Sequence, residues 1–198
     1  MLILVRHGES TGNADGLLVG RTDAALTERG LQQARSLAEV ASGATRVISS
    51  PLSRARATAE ALGTGLPVEV DERWIELDYG EYEGRSLGSV PAEVWSRWRA
   101  DPGFRPPGGE TLLEAGDRVR SACEELFDPD GDGDGGGGPV VVVSHVSPIK
   151  AAVCWALGLG DEVAWRLYLA TASVTRITRG PSGPLLAGFN HTPWSPDG

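Results

Sequence analysis

The 198-residue chain has no apolar run that reaches the roughly 18 residues of a membrane-spanning helix. Its first residues also lack the basic segment and the long apolar segment of a signal peptide. Cysteine is scarce: Cys123 and Cys154 are the only two, and both lie in apolar stretches with helical spacing. We expect buried free thiols rather than a disulfide, which fits a reducing compartment. These absences predict a cytoplasmic protein without a membrane partner.

Metal ligands and positive charge are scarce as well. The three histidines and two cysteines have no metal-ligand spacing, so we expect neither a metal nor another cofactor. The formal net charge of -9 argues against nucleic acid or an anionic membrane as the main partner, because both need a broad basic surface. A local cluster of arginines can still bind a small anion.

One acidic segment superficially resembles a calcium-binding loop. Asp128, Asp130 and Asp132 alternate within an Asp/Gly-rich stretch at 128–138, but the twelfth position is Pro139 rather than Glu. We therefore expect a flexible surface loop there.

Short apolar runs separated by helical patterns predict an α/β fold. Strands are expected at 2–5, 46–49, 68–70, 140–143, 173–178 and 185–189. Helices are expected near 28–41, 51–62, 91–100, 112–126 and 148–157, with loops at 12–23 and 71–85. This alternation predicts a single domain over 1–198, built as a three-layer αβα sandwich around a mostly parallel sheet with helices on both faces.

Local signals mark the ends of several helices. Ser50-Pro51 and Ser147-Pro148 each place Ser at a predicted N-cap and Pro at the first helical position. Thr111 and Glu114 form a capping box, and Gly158 ends the last long helix.

Polar residues of the types that bind anions or take part in catalysis follow three predicted strands. Arg6-His7 follows the first strand, Ser50-Pro51 with Arg54 the second, and His145 with Ser147-Pro148 the strand at 140–143. Parallel strands bring these ends to one edge of the sheet, where ligands bind. Two arginines, two histidines and two helix N-termini would form a site for an oxyanion, most commonly phosphate.

Each of these residues alone also has a simpler explanation, as a solvated side chain, a structural histidine or a helix cap. The combination is harder to explain in this way, because two of only three histidines end two buried strands. The third histidine, His191, lies in the Pro-rich tail, and we expect it to be structural.

Six sequence blocks resemble the histidine phosphatase superfamily, the phosphoglycerate-mutase-like proteins, and in particular its phosphatase branch. The first block is Arg6 to Ser10 (RHGES) with Asn13, which is similar to the family's nucleophile motif. The others are 20–30 (GRTDAALTERG), 49–58 (SSPLSRARAT), 76–84 (ELDYGEYEG), 107–111 (PGGET) and 144–145 (SH).

The resemblance implies a two-step phosphoryl transfer. His7 would attack phosphorus as a neutral imidazole, with its other nitrogen held by an acceptor such as a backbone carbonyl, and form a phosphohistidine. The oxygens of the phosphoryl group would be held by Arg6, Arg54, His145 and Asn13. Glu76 would protonate the leaving oxygen and then accept a proton from the attacking water. The arginines would supply the positive charge, so no metal is required.

The resemblance also extends the predicted site. Gly20, Arg21 and Ser147 are further candidates for binding phosphate or substrate. Glu81 and Glu83 are rival carboxylates, but the family pattern places its acid at the start of the block, which favours Glu76. Asp78 and Glu83 are expected to shape the turn.

The segment at 85–109 is expected to form a cap over the pocket. Trp95 and Trp98 would then either select the leaving group or pack in the core.

The expected function is that of a histidine acid phosphatase, hydrolysing a phosphomonoester of a small metabolite. The alternatives are a phosphoglycerate mutase and a non-catalytic protein that binds phosphorylated ligands. Gly12 stands where glycolytic mutases usually have Trp, which favours the phosphatase. The prediction also allows a homodimer.

Overall fold

In the computed structural model, which describes residues 1–127 and 138–194, a single six-stranded sheet forms the middle layer. Its strands are β1 (Leu2–Arg6), β2 (Arg46–Ser49), β3 (Val68–Val70), β4 (Val140–Ser144), β5 (Val174–Gly180) and β6 (Gly183–His191). The strand order is β3-β2-β4-β1-β5-β6. The first four strands are parallel, whereas β5 and β6 add an antiparallel edge. The predicted mostly parallel sheet is confirmed.

Helices cover both faces of this sheet. They are α1 (Thr11–Ala14), α2 (Glu28–Arg35), α3 (Ser53–Ala61), α4 (Ala92–Ala100), α5 (Leu112–Phe127) and α6 (Val146–Leu157). Leu4 and Val142 face a core shared with α5 and α6, whereas Val5 and Val143 face a core shared with α3 and with the turns at 37–41 that follow α2. Adjacent strand residues point to opposite faces, so one apolar run serves both cores. No helix in the described ranges has both the length and the apolar character needed to cross a bilayer.

The predicted helix at 28–41 is wrong in its second half. Regular α-helix ends at Arg35, and Leu37 N–H and Ala38 N–H then donate to carbonyls three residues earlier. Leu37 and Ala41 stay buried in the core, so the apolar periodicity persists through tighter turns. The predicted loop at 12–23 is likewise helical at its start, where it overlaps α1. A capping box between Ser10 and Asn13 begins this helix.

Both predicted Ser-Pro helix starts are wrong in register. The N-cap of α3 is Leu52 rather than Ser50, and the N-cap of α6 is His145 rather than Ser147. The Ser50 hydroxyl accepts from Leu52 N–H at 3.3 Å and also contacts the imidazole of His145, so it makes a tertiary contact from a position just before the helix. Thr111 and Glu114 do form the expected capping box.

The segment at 85–109 holds α4 and packs through an aromatic cluster. Trp98 is 1% exposed, and its ring contacts the rings of Tyr79, Tyr82, Trp95, Phe104 and Trp165. The core alternative for Trp98 is therefore the one observed. The predicted flexible loop at 128–138 lies, except for Gly138, outside the described residues.

Cys123 and Cys154 are buried free thiols, as predicted. Burial raises the pKa of both, that of Cys154 to about 11, so neither is a reactive thiolate near neutral pH.

Candidate active site

The ends of β1, β2 and β4 meet because these strands are neighbours in the sheet. The rings of His7 and His145 come to 5.0 Å between centroids. A cleft of about 190 Å³ opens beside them, lined by Arg6, His7, Asn13, Leu17, Leu18, Val19, Gly20, Arg54, Glu76, Tyr79, Leu87 and Val146. The cleft thus brings together side chains that lie as far apart in sequence as Arg6 and Val146.

His7 is held as a neutral imidazole in which Nδ1 carries the proton and Nε2 has the lone pair. Its Nδ1 lies 2.6 Å from the carbonyl oxygen of Gly8, and because a carbonyl only accepts, Nδ1 carries the proton. The Nε2 lone pair therefore faces outward and accepts from Nε of Arg54 at 3.3 Å. Burial, followed by the charges of Arg6 and Arg54, lowers the pKa of His7 well below its ordinary value of 6.5. This is the protonation state that a nucleophile requires.

Close backbone packing fixes the position of His7. A Cβ on Gly8 would lie 2.2 Å from the carbonyl oxygen of Gly30, so only glycine fits next to the histidine. Gly8 N–H donates to the Thr58 hydroxyl at 3.1 Å, and that hydroxyl donates to the carbonyl oxygen of Arg54 at 2.7 Å. Thr58 thereby ties the first strand end to α3.

Arg54 is a buried cation whose guanidinium donates to two backbone carbonyls of one loop. Its side chain donates from Nη1 to Thr22 O at 2.8 Å and from Nη2 to Gly20 O at 2.6 Å. Gly20 has a φ of +55°, and a Cβ there would collide with the Glu83 carboxylate. Glu83 in turn accepts from the N–H groups of Arg21 and Thr22. Glu83 therefore holds this loop. It also accepts from Tyr79 N–H at 3.2 Å within its own block, the turn that it was predicted to shape.

Arg6 and His145 contribute buried donors. Nη1 of Arg6 donates to Leu169 O at 2.6 Å, whereas its Nε is buried without a partner in the described part of the chain. His145 Nε2 lies 2.7 Å from the hydroxyl of Ser50, and its Nδ1 is also buried without a partner there. Burial and then the charge of His7 lower the pKa of His145 well below its ordinary value. An oxyanion would satisfy both nitrogens.

Glu76 is 6% exposed and occupies the N-terminus of α6. Its Oε1 accepts from the N–H groups of Leu77 at 2.8 Å and Ser147 at 3.1 Å, and its Oε2 accepts from Val146 N–H at 3.1 Å. The first turn of α6 thus holds a carboxylate of the chain itself.

The expectation that both helix N-termini bind the substrate anion is therefore wrong in this structure. The α6 N–H groups are taken by Glu76, and Ser53 N–H at the start of α3 donates to Asp23 Oδ1 at 2.8 Å. The backbone N–H groups at the starts of both helices therefore position carboxylates, while Arg54 and Val146 from the same first turns line the cleft.

Three charged residues hold the backbone of Glu76 in place. Arg21 Nε and Arg118 Nη2 each donate to the backbone carbonyl of Glu76 at 3.3 Å. Glu110 joins the two arginines, accepting from Arg21 at 3.1 Å and from Arg118 at 3.0 Å. Arg21 also lies 3.7 Å from Asp78. The Arg21 guanidinium thus holds the backbone of Glu76 and is not among the cleft-lining side chains. This corrects the predicted position of Arg21.

Of the remaining predicted site residues, two line the cleft and one does not. Asn13 and Gly20 line the cleft, and Asn13 Oδ1 accepts from Ser10 N–H at 3.1 Å. Ser147 does not line it: its backbone N–H serves Glu76, and its hydroxyl lies 3.4 Å from that of Tyr79 in an adjoining pocket.

Four residues have supporting roles that were not predicted: Ser50 was expected as a helix cap, and Thr58, Glu110 and Arg118 were not singled out. Ser50 and Thr58 lie in the recognised block 49–58 and Glu110 in the block PGGET, so these three could have been considered from the blocks. Their roles, like that of Arg118, depend on partners far away in sequence.

Comparison with known proteins gives a consistent result. Residues 2–192 match the family model described as the histidine phosphatase superfamily (branch 1). A relative called "Probable phosphoglycerate mutase GpmB", from Salmonella paratyphi C, is 37% identical over 197 residues, covering 94% of this chain and 88% of the relative.

Two solved structures are similar over nearly their whole length. A phosphoserine phosphatase mutant from Entamoeba histolytica, in complex with phosphoserine, has a TM-score of 0.85 at 26% identity and covers 96% of both chains. A mycobacterial glucosyl-3-phosphoglycerate phosphatase has a TM-score of 0.84 at 32% identity, covering 96% of this chain and 98% of that one.

Proposed function

The chain belongs to the histidine phosphatase superfamily, and on that premise we propose that it hydrolyses phosphomonoesters of small metabolites through a phosphohistidine at His7. The observation that carries the proposal is the state of His7: Nδ1–H is bound to Gly8 O, and the Nε2 lone pair faces the cleft guanidinium of Arg54. A neutral, oriented imidazole beside a buried cation suits attack on a phosphoryl group.

In the first step, His7 Nε2 forms a bond to phosphorus while the bond from phosphorus to the leaving oxygen breaks. The charge spread over the phosphoryl oxygens would be met by Arg54, by Arg6 and by Nδ1 of His145, with Asn13 at the cleft wall. Glu76 gives its proton to the leaving oxygen, which departs as an alcohol.

In the second step, water attacks phosphorus and the bond between phosphorus and Nε2 breaks. Glu76 takes the water proton, and inorganic phosphate leaves. Microscopic symmetry between the two steps explains why one carboxylate serves both, first as acid and then as base.

The names of similar structures favour hydrolysis, since those described above are phosphatases. The curated relative described above favours a mutase, in which the phosphohistidine passes its phosphoryl group back to a sugar acid. This second candidate would require 3-phosphoglycerate with a bisphosphoglycerate primer to yield 2-phosphoglycerate rapidly. We propose that little 2-phosphoglycerate forms and that phosphate is released.

The buried free thiols also support the proposal of a cytoplasmic location.

The experiment that tests the function is hydrolysis of p-nitrophenyl phosphate in the presence of EDTA. The wild-type protein should turn over, and quenching in alkali should trap a phosphoenzyme at His7, because a phosphohistidine is stable in base and labile in acid. His7→Ala should abolish both signals, while His191→Ala, at an exposed position on β6, should retain them. Full activity in His7→Ala would overturn the nucleophile assignment.

A further inference from the structure

The cleft beside His7 has a polar part and an apolar part. All the charged and amide side chains that line it take part in the proposed phosphoryl transfer, namely Arg6, His7, Asn13, Arg54 and Glu76. The hydroxyl of Tyr79, another lining residue, lies 3.4 Å from the hydroxyl of Ser147. Apart from Gly20, the other lining residues are aliphatic: Leu17, Leu18, Val19, Leu87 and Val146. We call these five residues the aliphatic wall.

The backbone of the aliphatic wall is largely engaged in internal hydrogen bonds. Two segments, 16–19 and 84–87, are joined by Leu18 N–H to Arg85 O at 2.8 Å, Gly84 N–H to Leu18 O at 2.9 Å and Leu87 N–H to Gly16 O at 3.0 Å. Val146 N–H donates to the Glu76 carboxylate at 3.1 Å. Because these donors already have acceptors, the wall presents methyl and methylene groups to whatever is attached to the phosphoryl group.

The aliphatic wall is firmly supported on one side and open on the other. Leu18 is buried and packs with Val90 and Trp98 in a small core. Leu87 is 47% exposed although it lines the cleft, and it belongs to the segment at 85–109. An apolar ligand that covers Leu87 removes apolar surface from water, and the supported part of the wall need not be ordered to receive it.

The chemistry of this wall discriminates between leaving groups. A sugar or polyol would place hydroxyl groups against methyl groups, where bonds to water are lost without replacement. An alkyl or aryl group in the same position buries apolar surface instead. We propose that the aliphatic wall is a leaving-group subsite that selects phosphomonoesters of apolar alcohols and phenols over those of sugars and polyols. This inference rests on the proposed function and names the substrate class for the same site.

The test compares esters that have equal carbon chains but differ in hydroxyl groups. Butyl phosphate is paired with erythritol 4-phosphate, and hexyl phosphate is paired with sorbitol 6-phosphate. Hydroxyl groups make an alcohol a better leaving group, so a preference for the alkyl ester must come from the cleft and not from intrinsic reactivity. Wild-type protein should prefer the alkyl member in kcat/KM by about 10- to 100-fold. Among alkyl esters, kcat/KM should rise about fourfold for each methylene that reaches the wall.

Leu87→Asn tests the wall at a position exposed enough for the fold to accept the change. It should lower the preference for hexyl phosphate over sorbitol 6-phosphate about three- to tenfold, chiefly through KM, because an apolar contact is lost. Leu87→Met should retain most of the preference. Leu185→Asn, at a 54% exposed position on β6, is the matched control and should keep the wild-type preference.

Three kinetic results would overturn the proposal. The first is that wild-type protein shows no preference for the alkyl ester in either pair. The second is that Leu87→Asn keeps the wild-type preference. The third is that Leu87→Asn loses the same factor on both members of each pair, which would give Leu87 a role in the shape of the loop and not in recognising the leaving group.

Binding of alkylphosphonates separates this proposal from the proposed function, because a phosphonate has no ester bond to the alkyl group. In calorimetry, wild-type protein should bind hexylphosphonate about 10- to 100-fold more tightly than methylphosphonate, and inorganic phosphate should displace both. Leu87→Asn should weaken only hexylphosphonate. If wild-type protein fails to hydrolyse p-nitrophenyl phosphate, the proposed function fails, but this affinity difference still decides the role of the wall. Equal affinities, or no binding of either phosphonate, would refute it.

Discussion

The hydroxyl of Ser50 lies 2.7 Å from Nε2 of His145, and both side chains are completely buried. Leu52 N–H donates to the same hydroxyl oxygen at 3.3 Å, which leaves the Ser50 proton free to point at the imidazole. A hydroxyl that donates to Nε2 selects the tautomer in which Nδ1 carries the hydrogen. The unpartnered Nδ1 is thereby prepared as a donor to a phosphoryl oxygen.

We expect Ser50→Ala to lower kcat about tenfold, because His145 loses the contact that fixes its tautomer and ring orientation. Steady-state kinetics with p-nitrophenyl phosphate measure the change. Ser53→Ala, on the first turn of α3 and outside the cleft, is the control that should keep wild-type kcat. An unchanged kcat in Ser50→Ala would show that packing alone orients His145.

Arg54→Lys should lower kcat/KM on the order of 100-fold, although the positive charge is conserved. A lysine cannot hold Gly20 O and Thr22 O while also approaching His7 Nε2, as the guanidinium fork does. The magnitude follows from the loss of about 3 kcal/mol per oxyanion contact. Arg56→Lys, exposed on the same helix, should behave as wild type. Comparable activities in the two variants would contradict the role given to the fork.

Glu110→Gln should lower kcat about five- to tenfold with little change in KM. The neutral amide weakens the bridge between Arg21 and Arg118, and so loosens their hold on the backbone of Glu76. The control is Glu114→Gln, which removes a surface charge from the same segment and should alter thermal stability alone.

Protein stability should fall as the pH drops below about 6.5. An unfolded histidine titrates near 6.5, whereas burial keeps His7 and His145 neutral to lower pH in the folded state. The unfolded chain therefore binds more protons in that window, and the free energy of unfolding decreases by at most about 2 kcal/mol per histidine between pH 6.5 and pH 5. Above the unfolded pKa both states are neutral, so this contribution is constant.

Urea unfolding at pH 5, 6 and 7 measures this effect. His7→Asn should have a shallower pH dependence than wild-type protein, while His191→Asn, outside the cleft, should keep the wild-type dependence. Parallel curves for wild type and His7→Asn would mean that His7 is protonated in the folded protein.

The strands and the reacting residues could be predicted because their signals are local. Val140 to Val143 form an apolar run that only a strand covered on both faces can bury, and Arg6-His7 follows a similar run. Parallel pairing then brings His7 and His145 together without further information. Helix starts were predicted less well, because the cap at Ser50 competes with a tertiary contact to His145 that is invisible along the chain.

The sequence by itself determined the α/β class, the shared edge of the sheet and the identity of the groups that meet there, since periodicity and strand direction follow from neighbouring residues. Only the tertiary structure decided how those groups are occupied. It gave the α6 N–H groups to Glu76 and brought Arg21 to the carboxylate of Glu110. Such pairings join residues 70 or more positions apart, as between Glu76 and Val146, so they depend on how the layers pack rather than on local preference.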